Sequence, residues 1–165
     1  MTEPATDDDL AAIHAQLGRA PRGVVGVAWR CPCGHPGVVQ TQPRLDNGTP
    51  FPTTYYLTCR RAVAGCSAME ASGRMAEMTA RLAEDPELAA RYRAAHEAYL
   101  ADRGALGHVP EIDGISAGGM PERVKCLHVL VGHSLAAGPG VNPLGDEAVA
   151  DLGEFWHRPC HLEDQ

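Results

Sequence analysis

The sequence predicts an α+β fold: a small antiparallel β-meander followed by a helical layer around a buried central helix at 121–136. Three observations carry this reading. Runs of β-branched and aromatic residues cluster in roughly the first third of the chain. Helical periodicity takes over after them. One stretch, "RVKCLHVLVGHSLA" (123–136), is apolar on nearly every side, and a helix that is apolar all round is buried all round.

The elements follow in order. Leu10, Ile13, His14 and Leu17 recur at helical spacing, and Gly18 can end that helix. "GVVGVAWRC" (23–31), "GVVQTQPRL" (37–45) and "TTYYLTC" (53–59) read as three strands. Between the last two, "DNGTPFP" carries Asn47-Gly48 and two prolines, a turn signal. Met69, Met75, Met78 and Leu82 then predict one or two helices broken at Gly73. The helix 84–104 is capped by Asp85, started by Pro86 and ended by Gly104. Leu88, Tyr92, Ala95 and Tyr99 form its buried stripe, and His96 reads as a surface histidine. The glycine-rich segment 107–122 is ordered only if something holds it. Pro121 opens the central helix, "AAGPGVNPLGDE" (136–147) closes it, and a last helix spans about 144–156 with Leu144, Val149, Leu152 and Trp156. The 165 residues fit a single domain, with 1–8 as a flexible acidic lead and 157–165 as a frayed tail.

A net charge of −7 repels phosphate backbones and anionic membranes, so neither nucleic acid nor membrane is an expected partner. Lys125 is the only lysine, and the arginine and alanine excess reflects a GC-rich coding sequence. The opening "MTEPATDDDL" has neither the basic nor the apolar region of a signal peptide, and no apolar run approaches the ~20 residues that cross a bilayer. These features predict a cytoplasmic protein, whose six cysteines are thiols or metal ligands rather than disulfides.

On an ideal helix at 121–136, Cys126 and His128 point in nearly opposite directions, and Cys126 and His133 lie about 10 Å apart along the axis. That helix alone is not a metal site, but it can donate one ligand. "RCPCGHPG" (30–37) resembles a zinc-ribbon knuckle, with one residue between its cysteines where the knuckle has two. Cys59 at the end of the third strand can meet it, because strand ends meet in hairpins. Cys31, Cys33, Cys59 and Cys126 are therefore the candidate ligands of one zinc. Cys66 reads as a core thiol, and Cys160 and His161 fall in the tail. The rival is catalysis, with Cys126 near Lys125 and Arg123 as a nucleophile.

The segments "RCPCGHPGVVQTQPRLDNGTPFPTTYYLTCRR", "LAEDPELAARYRAAHEAYL" and "GGMPERVKCLHVLVGHSLAAGPGVNPLGDEA" together resemble the bacterial domain-of-unknown-function family 501 over nearly the whole chain. The family has no established activity. Its members are often encoded beside a septum-formation initiator and an exopolyphosphatase, which implies a setting in cell division or polyphosphate metabolism. His35 departs from the family's form, which makes it a poor ligand candidate, whereas the Cys59 position admits histidine, an exchange compatible with zinc.

Two functions are expected from these readings. The first is a non-enzymatic, protein-binding or regulatory module with a structural zinc site and an unidentified protein partner. Its surface is framed by the two ends of the central helix, with Arg123 and Asp146 as accessible contacts. The second is a hydrolase or transferase acting on a phosphorylated or acyl small molecule through Cys126 or His128.

Overall fold

The computed structural model describes residues 2–157. Cys160 and His161 lie outside them. Helix α1 (Asp7–Leu17) precedes strands β1 (Val24–Arg30), β2 (Pro36–Thr41) and β3 (Tyr55–Leu57), and these are followed by α2 (Arg60–Ala71), α3 (Arg74–Glu84), α4 (Pro86–Leu106), α5 (Leu127–Ala137) and α6 (Pro143–Leu152). The strands form one antiparallel sheet in the order β1-β2-β3, with Val27 opposite Val39 and Val39 opposite Tyr56. The α+β class and the meander thus stand as the sequence predicts.

The first residues are not a loose lead. Glu3 and Val27 exchange backbone hydrogen bonds of 2.9 and 2.8 Å, which lays the chain along β1. Thr6 and Asp9 then form a capping box for α1. Asp9 is buried, and the Arg30 guanidinium donates to both of its carboxylate oxygens at 2.8 and 3.1 Å. That pair, above all its hydrogen bonds, holds the Asp9 carboxyl well below the usual carboxylate range.

α4 is capped by Asp85, whose side chain accepts from the Leu88 N–H. It runs through Gly104 to Leu106 and is capped at Gly107, because one glycine inside a helix costs only about 1 kcal/mol and the surrounding turns outweigh it. Its stripe of Leu88, Tyr92, Ala95 and Tyr99 is buried. His96 is buried too, a correction of the surface reading: its Nδ1 lies 2.7 Å from the Ser116 hydroxyl. The glycine-rich segment is held from inside by Arg103, which donates to the carbonyls of Pro52 (3.0 Å) and Ile112 (2.8 Å).

The central helix exists but begins later than Pro121. Residues 118–126 fold back on themselves. The Lys125 N–H donates to Gly118 O (2.7 Å) and the Arg123 N–H to Gly119 O (3.0 Å), with both glycines at positive φ. Thr79 Oγ1 accepts from the Val124 N–H, and the Tyr92 hydroxyl donates to Arg123 O. These bonds from α3 and α4 replace the helical ones, and α5 starts at Leu127.

α5 packs against β3, α6 and α2. Leu127, Leu130 and Val131 are fully buried, while Leu135 is half-buried. α6 ends at Leu152, short of the expected 156, and Trp156 sits in a separate 3-10 turn.

One polar residue lies at the centre of this packing. His133 on α5 stacks on Tyr55 (5.9 Å, 8°) and meets Tyr99 edge-on (5.0 Å, 89°). Its Nδ1 lies 3.2 Å from Asn142 Nδ2, and Asn142 caps α6 by accepting from the Gly145 N–H. The Tyr99 hydroxyl accepts from the Thr54 N–H at 2.7 Å. One imidazole thus joins α5 to β3, α4 and the start of α6.

Two predictions follow from the core. Leu127→Ala should destabilise the protein by roughly 2–5 kcal/mol in chemical denaturation, through lost burial and a residual cavity. An effect within error would mean that α5 is not central. The second concerns His133, whose pKa burial lowers to about 4. The unfolded chain then takes up this proton first as pH falls. The contribution of His133 is complete above about pH 6.5 and is lost toward pH 4. Urea midpoints at pH 7 and 4.5 should fall further for the wild type than for His133→Gln. Equal falls would rule out a neutral buried imidazole.

Candidate functional site

The predicted thiol quartet divides into two groups. Cys31 and Cys33 sit on a tight turn in which the Cys31 N–H donates to His35 O (2.9 Å) and the Gly34 N–H to Cys31 O (2.8 Å). Cys33 Sγ lies 3.6 Å from His35 Nδ1. Cys59 caps the start of α2 and donates its N–H to Gly37 O, which brings it to the same end of the sheet. Burial pushes the Cys31 thiol up to about 12, and the nearby Cys33 and Cys59 sulfurs add to the shift.

Cys126 is elsewhere. Its sulfur neighbours Cys66 and Glu70, toward the far end of α2. At about 1.5 Å rise per residue, Glu70 lies about 16 Å along that helix from Cys59. Among the described residues no three of the four predicted thiols have sulfurs within 4.8 Å of one another. Cys66 is fully buried, as a core thiol should be.

What does converge is Glu70, Cys126 and His128, whose ligand-type atoms all lie within 4.8 Å of one another. Cys126 is the residue before α5, in extended conformation (φ −151°, ψ 114°). Because it stands outside the helix, the 100° rule does not apply to it, and its side chain reaches the same point as that of His128. This corrects the opposed geometry expected from a helix that began at Pro121. Glu70 comes from the last turn of α2. Its Oε2 accepts the orphan N–H of Leu127 at 2.8 Å and lies 3.2 Å from His128 Nδ1. Cys126 Sγ is 3.8 Å from that same nitrogen, while His128 Nε2 faces the Ser67 hydroxyl at 3.3 Å.

The hydrogen bond to Cys126, reinforced by the Glu70 carboxylate, pushes the His128 imidazole up to about 9 against the opposing effect of burial. All three residues are half-buried. Cys126 and His128 also line a cleft of about 400 Å³, whose walls include Gln16, Tyr56, Thr58, Arg60 and Val129. Gln16 Oε1 and Thr58 Oγ1, of residues in its walls, are buried with no hydrogen-bond partner among the described residues.

The donor set is thiolate, imidazole and carboxylate, which suits zinc. A nucleophilic relay uses the two ring nitrogens separately, one facing the thiol and the other its orienting acid. Here thiol and carboxylate face one nitrogen, which is the arrangement of ligands around a point. Glu70 was not legible as part of a site, since nothing in the sequence ties it to residues 126–128. The only trace is that Ser67 and Glu70, three apart on α2, share a face.

Of the two expected surface contacts, Arg123 is exposed. Asp146 accepts the Gly140 N–H at 2.9 Å and helps hold the loop before α6. No described helix is long and apolar enough to cross a membrane.

No curated protein and no solved structure matches the chain significantly. The model of the family described as "Protein of unknown function (DUF501)" matches residues 27–150, a span that holds most of the sheet, the knuckle, Glu70 and the start of α5. The chain therefore belongs to that family of proteins of unknown function.

Proposed function

We propose that this protein is a zinc-dependent hydrolase of small molecules whose metal is held by Glu70, Cys126 and His128. The single observation that supports this is the convergence of three different ligand types at the wall of a cleft. Structural zinc sites are closed by four protein ligands, whereas catalytic ones use three and keep a position for water or substrate. Zinc in such a site lowers the pKa of its bound water to about 7 and polarises an acyl or phosphoryl oxygen.

The protein's own groups supply the rest. Ser67 fixes the ring of His128 through Nε2, so Nδ1 faces the centre, and the Leu127 N–H orients the Glu70 carboxylate. Arg60 in the cleft wall adds a positive charge suited to an acyl or phosphoryl substrate. The binding-module reading has less support, because Asp146 already serves the fold.

Zinc-loaded, dialysed wild-type protein should retain about one zinc per chain by elemental analysis. Cys126→Ala and His128→Ala should lose it, and Cys33→Ala should keep it. Loaded wild type should cleave members of a panel of nitrophenyl esters and phosphates at least about a hundredfold faster than Cys126→Ala, as loss of a metal-activated water requires. Zinc that stays in Cys126→Ala but leaves Cys33→Ala would move the metal to the knuckle. Equal hydrolysis by the two proteins would remove the enzymatic reading.

A further inference from the structure

A second cavity, of about 290 Å³, adjoins the cleft and shares Leu17, Tyr56 and Thr58 with it. Ile13 of α1, Val24 of β1, Val39 of β2 and Leu45 with Phe51 from the following loop make its apolar lining. Arg19 and Arg22, both exposed, also line it. Neither forms an ion pair among the described residues. Among the described residues, the only hydrogen bond of the Arg19 side chain is a 3.5 Å contact to the neighbouring Ala20 carbonyl. Asp46 lines a neighbouring cavity together with Arg22, and the two form no ion pair among the described residues. By contrast, Arg30, Arg44, Arg74 and Arg81 are each matched to a carboxylate. In a chain of net charge −7, two unpaired guanidinium groups lining one apolar cavity form a local positive potential.

We infer that this cavity binds an anionic amphiphile: a carboxylate held by Arg19 and Arg22 and an aliphatic tail lying along Ile13, Val39 and Phe51. The chemistry selects both halves. Guanidinium forks match a carboxylate bidentately, and an apolar lining gains from each buried methylene. The volume is at the small end of ligand sites, about 300–1,000 Å³, which favours a medium-length chain. The shared wall at Leu17, Tyr56 and Thr58 directs such a tail toward the cleft of Cys126 and His128. The inference does not depend on the metal, since none of the three proposed ligands lines this cavity.

Calorimetric titration of the full-length protein with decanoate tests it, with decanol, acetate and decyltrimethylammonium as comparison ligands. Decanoate should bind at least about tenfold more tightly than decanol, and acetate and the cationic amphiphile should give no saturable signal. Arg19→Ala/Arg22→Ala should lose that tenfold preference for decanoate over decanol while its thermal midpoint stays with the wild type, because both side chains are exposed. Cys126→Ala should bind decanoate like the wild type, which separates this site from the metal centre. No decanoate binding, equal binding of the cationic amphiphile, or an undiminished preference in the double arginine variant would overturn the inference. Leu17→Trp, which narrows the cavity, should weaken decanoate and decanol alike. If it folds but binds both as the wild type does, the tail lies elsewhere.

Discussion

α5 crosses β3 and α6 as closely as it does because residues 132 and 145 are glycine. A Cβ at Gly132 would stand 2.9 Å from the Tyr55 carbonyl oxygen, and one at Gly145 would collide with the Leu130 carbonyl and the Ser134 hydroxyl. With no side chain at either position, the helix seats its backbone against strand and helix at once, burying Leu127, Leu130 and Val131. The site depends on that seating. It presses the first turn of α5 against the last turn of α2, where the Leu127 N–H finds the Glu70 carboxylate in place of a side-chain cap of its own. The same carboxylate carries negative charge to the positive end of a helix. One contact thus serves packing, capping and the ligand set.

The irregular segment ahead of α5 is held as firmly as a regular element. Arg103, buried against carbonyls of residues 52 and 112, ties it to α4. Ser116 joins it to His96, and Thr79 and Tyr92 bond its last residues. Thr79 accepts the Val124 N–H and the Tyr92 hydroxyl donates to the Arg123 carbonyl, so these two side chains stand in for partners that a helix would have supplied. The functional gain is directional. A helix that ran on from Pro121 would turn Cys126 away from His128, and the irregular approach turns it toward the same point.

The two cavities and the centre share one edge of the molecule. β3 is an outer strand of the sheet, and its Tyr56, with Thr58 just after it, lines both the apolar cavity and the cleft. Residues from the end of α1 and the start of α5 line the cleft together with that strand. A ligand site of mixed character follows from this arrangement: two guanidinium groups over an apolar lining where α1 meets the sheet, and thiol, imidazole and carboxylate where α2 and α5 converge.

Local pattern determined much of this protein. Alternation and turn chemistry give the strands and the Asn47-Gly48 turn. Gly18, Gly73, Asp85 and Pro86 set helix ends, because capping depends on one or two residues and their neighbours. The uniformly apolar run after Lys125 marks the central helix. Tertiary contacts decided what lies beyond a turn or two. His96 reads as exposed until Ser116 is folded onto it, and Gly104 reads as a stop until packing carries α4 past it. The thiol quartet looked like one site because chain order says nothing of which end of α2 each cysteine meets. Glu70 and Cys126 are separated by more than fifty residues and joined by neither period nor motif. Only the docking of α5 on α2 brings them together, and that is settled by side-chain volume across the core, which no local window of sequence contains.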